Sequence, residues 1–261
     1  MANDAEYKSD TLNDIINSEQ QMVIDGEKLY GEFYKNALDF YQLLNDFITQ
    51  TSADQLISCI FLNQIRKHSL LAILSTLRRQ DTQAMMNLRQ VLEAGALASY
   101  SIAEGDWDDL IAEDNEDMFK KSEKYKTDAY KWLEENYKKG SDAILAMKRL
   151  INKSSSHNNV IMAHRSFNFN SKEKVAEIPF FDIEDDYLTK IALWQAANII
   201  MGIMDLIYGV SQEYKGLEFS ENFIIRLKTL DTTNLKLKTE ITKHERYKKA
   251  QEYDTSNILK Y

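Results

Sequence analysis

The scarcity of helix-breaking residues is the feature that most constrains this chain. Its 261 residues include one proline and eight glycines, so long stretches run without a conformational break. Both residues are far below their average usage, which is typical of proteins built from long helices. With 44% hydrophobic residues, the chain can also bury a large core. We therefore predict an all-α fold, an antiparallel helical bundle.

A central hairpin of two long helices is predicted over about residues 52–104. Apolar residues recur at helical spacing from residue 57 to 77, and no glycine or proline interrupts residues 52–79. Ser52 with Gln55 fits a capping box that begins the first helix, and Asp81 is a favourable N-cap for the second. Because the connection at Gln80 is so short, the two helices must lie antiparallel.

Three polar residues of this hairpin are predicted to form a buried polar cluster: His68, Arg89 and Glu93. Arg89 lies on the apolar stripe of the second helix, and Glu93 follows one turn later, within its reach. His68 is placed to join them from the first helix. A charge on a buried stripe needs a partner. Two interpretations stay open, a structural ion pair that fixes helix register and a polar pocket inside the bundle.

The whole chain is predicted to divide into three parts. Residues 1–11 are predicted to be loosely ordered, 12–215 to form the bundle domain, and 216–261 to form a charged C-terminal helical extension. Within the bundle, breaks are expected near Gly26 and at Gly140. One irregular loop is also expected at about residues 165–182. It holds the proline and has room for a small β-hairpin.

Residues 191–210 are nearly apolar and long enough to be considered as a membrane span. Gln195, Asn198 and Asp205 interrupt the stretch, which favours a core helix. The N-terminal residues are polar and acidic, so no signal peptide is predicted. The single cysteine, Cys59, fits a reducing compartment. We therefore expect a cytoplasmic protein without a membrane association.

The charge pattern bears on partners. The formal net charge of −9 argues against general nucleic-acid binding. Residues 104–117 hold eight acidic residues and no basic one, whereas residues 226–249 hold eight Lys or Arg against three acidic residues. Such an asymmetry can bring the tail of one subunit to the acidic block of another, or it can mark two solvated faces.

A second candidate site lies near the end of a predicted helix at residues 142–153. Arg149, Asn152 and His157 could converge there, with His157 as general acid or base, Arg149 on a phosphate and Asn152 as the orienting residue. The alternative is a solvated turn that ends the helix. A metal site from His157, His164 and a bundle carboxylate is disfavoured because only two histidines lie near each other and they form no His-x-x-x-His pair, and no cofactor motif is found.

The segment from Leu88 to Ala94 resembles the Leu-Arg-x-x-Leu-Glu-Ala pattern of uncharacterised bacterial all-helical proteins related to the HEPN group (higher eukaryotes and prokaryotes nucleotide-binding). The resemblance covers roughly residues 52–210. HEPN ribonucleases use an Arg followed four to six residues later by a His, and here seven residues separate Arg149 from His157.

The resemblance implies two functions. The first is a non-enzymatic interaction or regulatory module in a bacterial defence or toxin–antitoxin setting, expected to be a homodimer and to bind a protein partner. The second is a metal-independent endoribonuclease, with RNA as its partner, that uses Arg149, Asn152 and His157.

Overall fold

The computed structural model describes residues 10–106, 114–155, 167–170, 175–177 and 179–249. It confirms the all-α bundle. The α-helices are α1 (Leu12–Tyr30), α2 (Glu32–Asp46), α3 (Leu56–Leu77), α4 (Asp81–Glu104), α5 (Asn115–Asn136), α6 (Lys138–Ser155), α7 (Asp186–Glu213) and α8 (Phe223–Lys243). The strands are β1 (Ile48–Thr51), β2 (Asn168–Asn170), β3 (Val175–Glu177) and β4 (Leu217–Phe219).

The predicted hairpin, α3 with α4, is at the centre of the bundle. Helix α4 packs against α3, and also against α5, α6 and α7. Gly95 is buried where α4 meets α7, and a Cβ atom there would lie 2.4 Å from Cδ1 of Ile203. The missing side chain thus lets these two helices approach closely. Arg79, in the turn between α3 and α4, has a left-handed backbone with φ of 54°.

Helix α7 contains the long apolar stretch. It is long and apolar enough to cross a membrane, but 56% of its most apolar window is buried inside the bundle. It packs against α2, α3, α4 and α8, and its side chains from Ala192 to Val210 supply much of the core. These contacts support the prediction of a core helix.

Residues beyond Gly216 also join the core. Helix α8 packs along α2 and α7 and buries Leu227, Leu237 and Ile241. Strand β4 pairs antiparallel with β1, which the sequence did not predict. Phe47, Phe219 and Phe223 pack together beside this pair.

Several predicted helix boundaries are wrong. The first break falls at Gly31, whose φ is +51°, and not at Gly26, which is buried against Leu77 and Tyr34. Gly140 lies inside α6, because the break comes at Tyr137.

The predicted caps of the hairpin are wrong as well. Ser52 makes no capping bond, since its hydroxyl donates to the Gly216 carbonyl, and a 3₁₀ turn precedes α3. Asp81 lies within the first turn of α4, whose N-cap is Gln80.

The predicted irregular loop contains one regular feature. Strands β2 and β3 pair antiparallel, with Asn168 opposite Glu177 and Asn170 opposite Val175, which forms the small β-hairpin. Residues 165, 166, 171–174 and 178 of this loop lie outside the described residues, as do residues 107–113 of the acidic segment.

Candidate functional site

The polar group of most interest lies where α4, α5 and α6 meet. Arg89 and Glu93 are one turn apart on α4, and Lys148 and Asn152 are one turn apart on α6. Residues four apart lie on the same side of a helix, so each helix presents a pair of polar side chains to the other. Tyr130 of α5 completes the group. We call these five residues the α4–α6 cluster.

The cluster is a continuous network of hydrogen bonds. Arg89 donates from Nε to Oε1 of Glu93 at 3.1 Å and from Nη1 to Oδ1 of Asn152 at 2.9 Å. Nζ of Lys148 lies 2.9 Å from the same Glu93 oxygen and donates to the Tyr130 hydroxyl at 2.7 Å. The Lys148 ammonium also lies 4.6 Å from the centre of the Tyr130 ring.

The cluster is half-buried and carries an excess of positive charge. The exposed fraction of the side chain is 32% for Arg89, 17% for Glu93 and 14% for Lys148. Burial raises the pKa of the Glu93 carboxyl, but hydrogen bonds and charges from Lys148 and Arg89 outweigh it, so the pKa lies below its ordinary value. Glu93 is therefore ionised at neutral pH, and one carboxylate faces two cations.

This cluster contains residues from both of the candidate sites that were predicted separately from the sequence. The contact expected between Arg89 and Glu93 is present. Asn152, which the sequence grouped with Arg149 and His157, accepts a hydrogen bond from Arg89. Arg149 is exposed on α6. His157 and His164 lie outside the described residues, so the expected convergence of Arg149, Asn152 and His157 stays a prediction.

His68 occupies a separate contact in the same hairpin. Its Nδ1 lies 2.8 Å from Oδ1 of Asn87, and Asn87 donates back to the Gln83 carbonyl of its own helix. In the part of the chain that the structure describes, His68 makes no hydrogen bond or ion pair with Arg89 or Glu93. The polar cluster expected from His68, Arg89 and Glu93 is therefore divided between two places.

Lys148 and Tyr130 were not predicted from the sequence. Lys148 precedes Asn152 by four residues, so helical spacing alone could have placed both on one face of α6. No pattern near Tyr130 distinguishes it from the other aromatic residues of α5, since its role depends on how α5 packs against α6.

A second surface is apolar. Leu12, Ile16 and Ile24 of α1 are 71%, 50% and 63% exposed, respectively. Together with Gln20 they form one row of residues spaced by four along the helix. Helix α1 buries Gly26 and Tyr30 near its C-terminal end, while the part that precedes Gly26 presents this row to solvent.

No group of three or more His, Cys, Asp or Glu side chains suited to a metal ion occurs among the described residues. Comparison of the chain with models of protein families, with curated proteins and with solved structures found no match.

Proposed function

We propose that this protein is an interaction or regulatory module of the HEPN-like type, that it acts in the cytoplasm, and that it assembles as a homodimer through α1. The observation that carries the proposal is the exposed row of Leu12, Ile16 and Ile24. Single exposed apolar residues are normal, but an aligned row on one helix is typical of an interaction site.

The geometry of the row suits a second copy of the same helix. Residues spaced by four form a ridge, and two such ridges interdigitate when helices cross at about −50°. A two-fold axis would bring the same row of each copy together. The interface would then be self-complementary, as symmetric dimers require.

The charge around the row supports the same partner. The exposed side chains Asn13, Asn17 and Gln20 beside the N-terminal part of the row are uncharged, and the charged Glu27 and Lys28 come only after Ile24. Each chain carries a net charge of −9, so two copies repel each other over most of their surface. A row that combines apolar and uncharged residues is a place where they can approach.

Substitution within the row tests the homodimer. We expect sedimentation velocity to give a dimer for the wild type and a monomer for Ile16→Asp with Ile24→Asp, because two carboxylates would be buried in the interface. Leu235→Asp, at an exposed leucine of α8, is the matched control and should leave the dimer intact. A monomeric wild type, or equal dissociation by the control, would contradict the proposal.

A second candidate function is favoured by the bond between Asn152 and Arg89. That bond joins a residue of the expected catalytic group to an arginine that can bind phosphate. A metal-independent endoribonuclease would use His157 as general acid or base, with Arg149 on the scissile phosphate and Asn152 as the orienting residue.

Cleavage of RNA by the purified protein in EDTA tests this second function. Activity that survives EDTA and disappears in His157→Ala would support it, provided that Arg226→Gln, at an arginine of α8, retains the activity. The absence of cleavage, or equal cleavage by wild type and His157→Ala, would exclude the site.

A further inference from the structure

We propose that the α4–α6 cluster is a binding site for a phosphoryl group. Arg89 and Lys148 bind the group, and Glu93 positions these two residues. The inference goes beyond the homodimer and does not depend on cleavage of RNA. It rests on three observations among the described residues: unused hydrogen-bond donors, two cations for one carboxylate, and a partly exposed arginine side chain.

The first observation concerns donors. A guanidinium has five N–H donors, and an ammonium has three. Among the described residues, Arg89 uses one donor on Glu93 and one on Asn152, and Lys148 uses one on Glu93 and one on Tyr130. Both Nη2 hydrogens and the second Nη1 hydrogen of Arg89 remain, which form the end of the fork that binds oxyanions in a bidentate manner.

The second observation concerns charge. In the described part of the chain, Glu93 is the one carboxylate paired with these cations, and it faces two of them. A cation that is largely withdrawn from water and lacks a counter-charge is unfavourable. Lys126 lies near enough for its charge to act on Glu93, and it adds to the excess. In a protein of net charge −9, this local excess of positive charge is a feature that a bound anion would explain.

Glu93 gives the site its fixed geometry. The same oxygen, Oε1, accepts from Arg89 at 3.1 Å and lies 2.9 Å from Nζ of Lys148, so Glu93 holds both cations close to one atom. The Tyr130 hydroxyl fixes the other side of the ammonium. The cations are ordered before the anion arrives, so binding loses little side-chain entropy.

The third observation concerns access and shape. Arg89 is the most exposed of the three charged side chains, so an anion would enter from its side. The donors come from two helices. Arg89 on α4 offers the planar fork of its guanidinium, and Lys148 on α6 offers the point charge of its ammonium. A tetrahedral oxyanion can accept from both at once through different oxygens, whereas a planar carboxylate fits the fork alone.

Calorimetric titration with inorganic phosphate at constant ionic strength tests the site. We expect saturable binding to the wild type and a loss of about tenfold or more in affinity for Arg89→Lys, which keeps the charge but removes the fork. Lys148→Gln should weaken binding as well. Arg226→Gln removes a charge elsewhere and should bind as the wild type does.

Parallel titrations identify the source of the phosphoryl group. Methyl phosphate binding at least as well as inorganic phosphate would assign a phosphate ester, whereas binding of inorganic phosphate alone would assign the free ion. The absence of saturable binding to wild type would overturn the proposal. Acetate that binds as tightly as phosphate, or Arg89→Lys that binds as well as wild type, would overturn it too.

One measurement avoids variants altogether. Phosphate should shift the side-chain ¹H–¹⁵N resonance of Arg89 Nε in the unmodified protein, and an unchanged resonance at saturating phosphate would contradict the site. The Ile16→Asp, Ile24→Asp protein should bind phosphate normally, so failure of the homodimer and failure of this site can be distinguished.

Discussion

Two of the polar groups in the described part of this bundle differ in burial and charge. The first is an amide ladder of Asn36, Asn198 and Asn234 on α2, α7 and α8. Asn36 donates to Oδ1 of Asn234 at 2.9 Å, and Asn234 donates to Oδ1 of Asn198 at 3.3 Å. Asn36 and Asn234 are almost wholly buried, and the ladder carries no charge. The second, the α4–α6 cluster, is less completely buried and has two cations for one carboxylate.

This difference in burial and charge indicates that the two polar groups have different roles. Two amide–amide bonds join the ladder, so they favour the one alignment of α2, α7 and α8 in which they form, although Oδ1 of Asn36 is buried without a partner among the described residues. The α4–α6 cluster retains donors that the described residues do not use, and solvent reaches it. We infer that the ladder serves the fold and that the cluster serves a ligand.

The largest effect is expected at the ladder. Asn234→Ala would leave the amides of Asn36 and Asn198 without this partner, and we expect the free energy of unfolding to fall by about 2–4 kcal/mol. Urea denaturation measures it. Asn63→Ala, at an exposed asparagine of α3, should change stability by less than about 0.5 kcal/mol. Equal effects of the two changes would show that the ladder contributes nothing.

A smaller loss is expected at the cluster. Glu93→Gln leaves Arg89 and Lys148 close together without a carboxylate, and partial exposure limits the loss in unfolding free energy to about 1–3 kcal/mol. Lys148→Met in the same protein should recover part of that loss, because it removes the unpaired cation. Denaturation curves of the two single variants and the double variant measure the coupling, and strictly additive effects would contradict the network.

The two groups should also differ in their response to pH. The folded-state pKa of Glu93 lies below its ordinary value of 4.5, so its contribution to stability is present above that value. It is lost as the pH falls through the folded-state pKa. The stability gap between wild type and Glu93→Gln should therefore shrink on acidification, whereas the gap for Asn234→Ala should not change. Parallel acid titrations of stability would show which group titrates.

The sequence predicted one of these groups better than the other. Arg89 and Glu93 were found because a charge on an apolar helical stripe is anomalous and its partner was local, one turn away. Asn152 was noted for a different reason, and its contact with Arg89 depends on the packing of α6 against α4. The ladder was not predicted at all, because Asn36 and Asn234 are 198 residues apart and each looks ordinary in its own helix.

The errors in helix boundaries have a similar cause. Gly26 and Gly31 are equivalent as breakers in the sequence, and only Gly31 adopts a positive φ. Gly26 stays helical because Leu77 and Tyr34 pack where its side chain would be. Ser52 satisfied the capping pattern, but β4 brought the Gly216 carbonyl to its hydroxyl. In each case a tertiary contact decided between two locally acceptable conformations.

The smallest expected effect on stability gives the sharpest contrast. Arg89→Lys keeps a positive charge beside Glu93, so we expect the unfolding free energy to change by less than about 1 kcal/mol. The same substitution should abolish most of the phosphate affinity, because an ammonium cannot present a planar fork.

Thermal unfolding with and without phosphate measures both quantities in one experiment. Phosphate should raise the melting temperature of the wild type and leave that of Arg89→Lys nearly unchanged. A cluster that only supported the fold would give the opposite result, a loss of stability without any effect of phosphate on either protein.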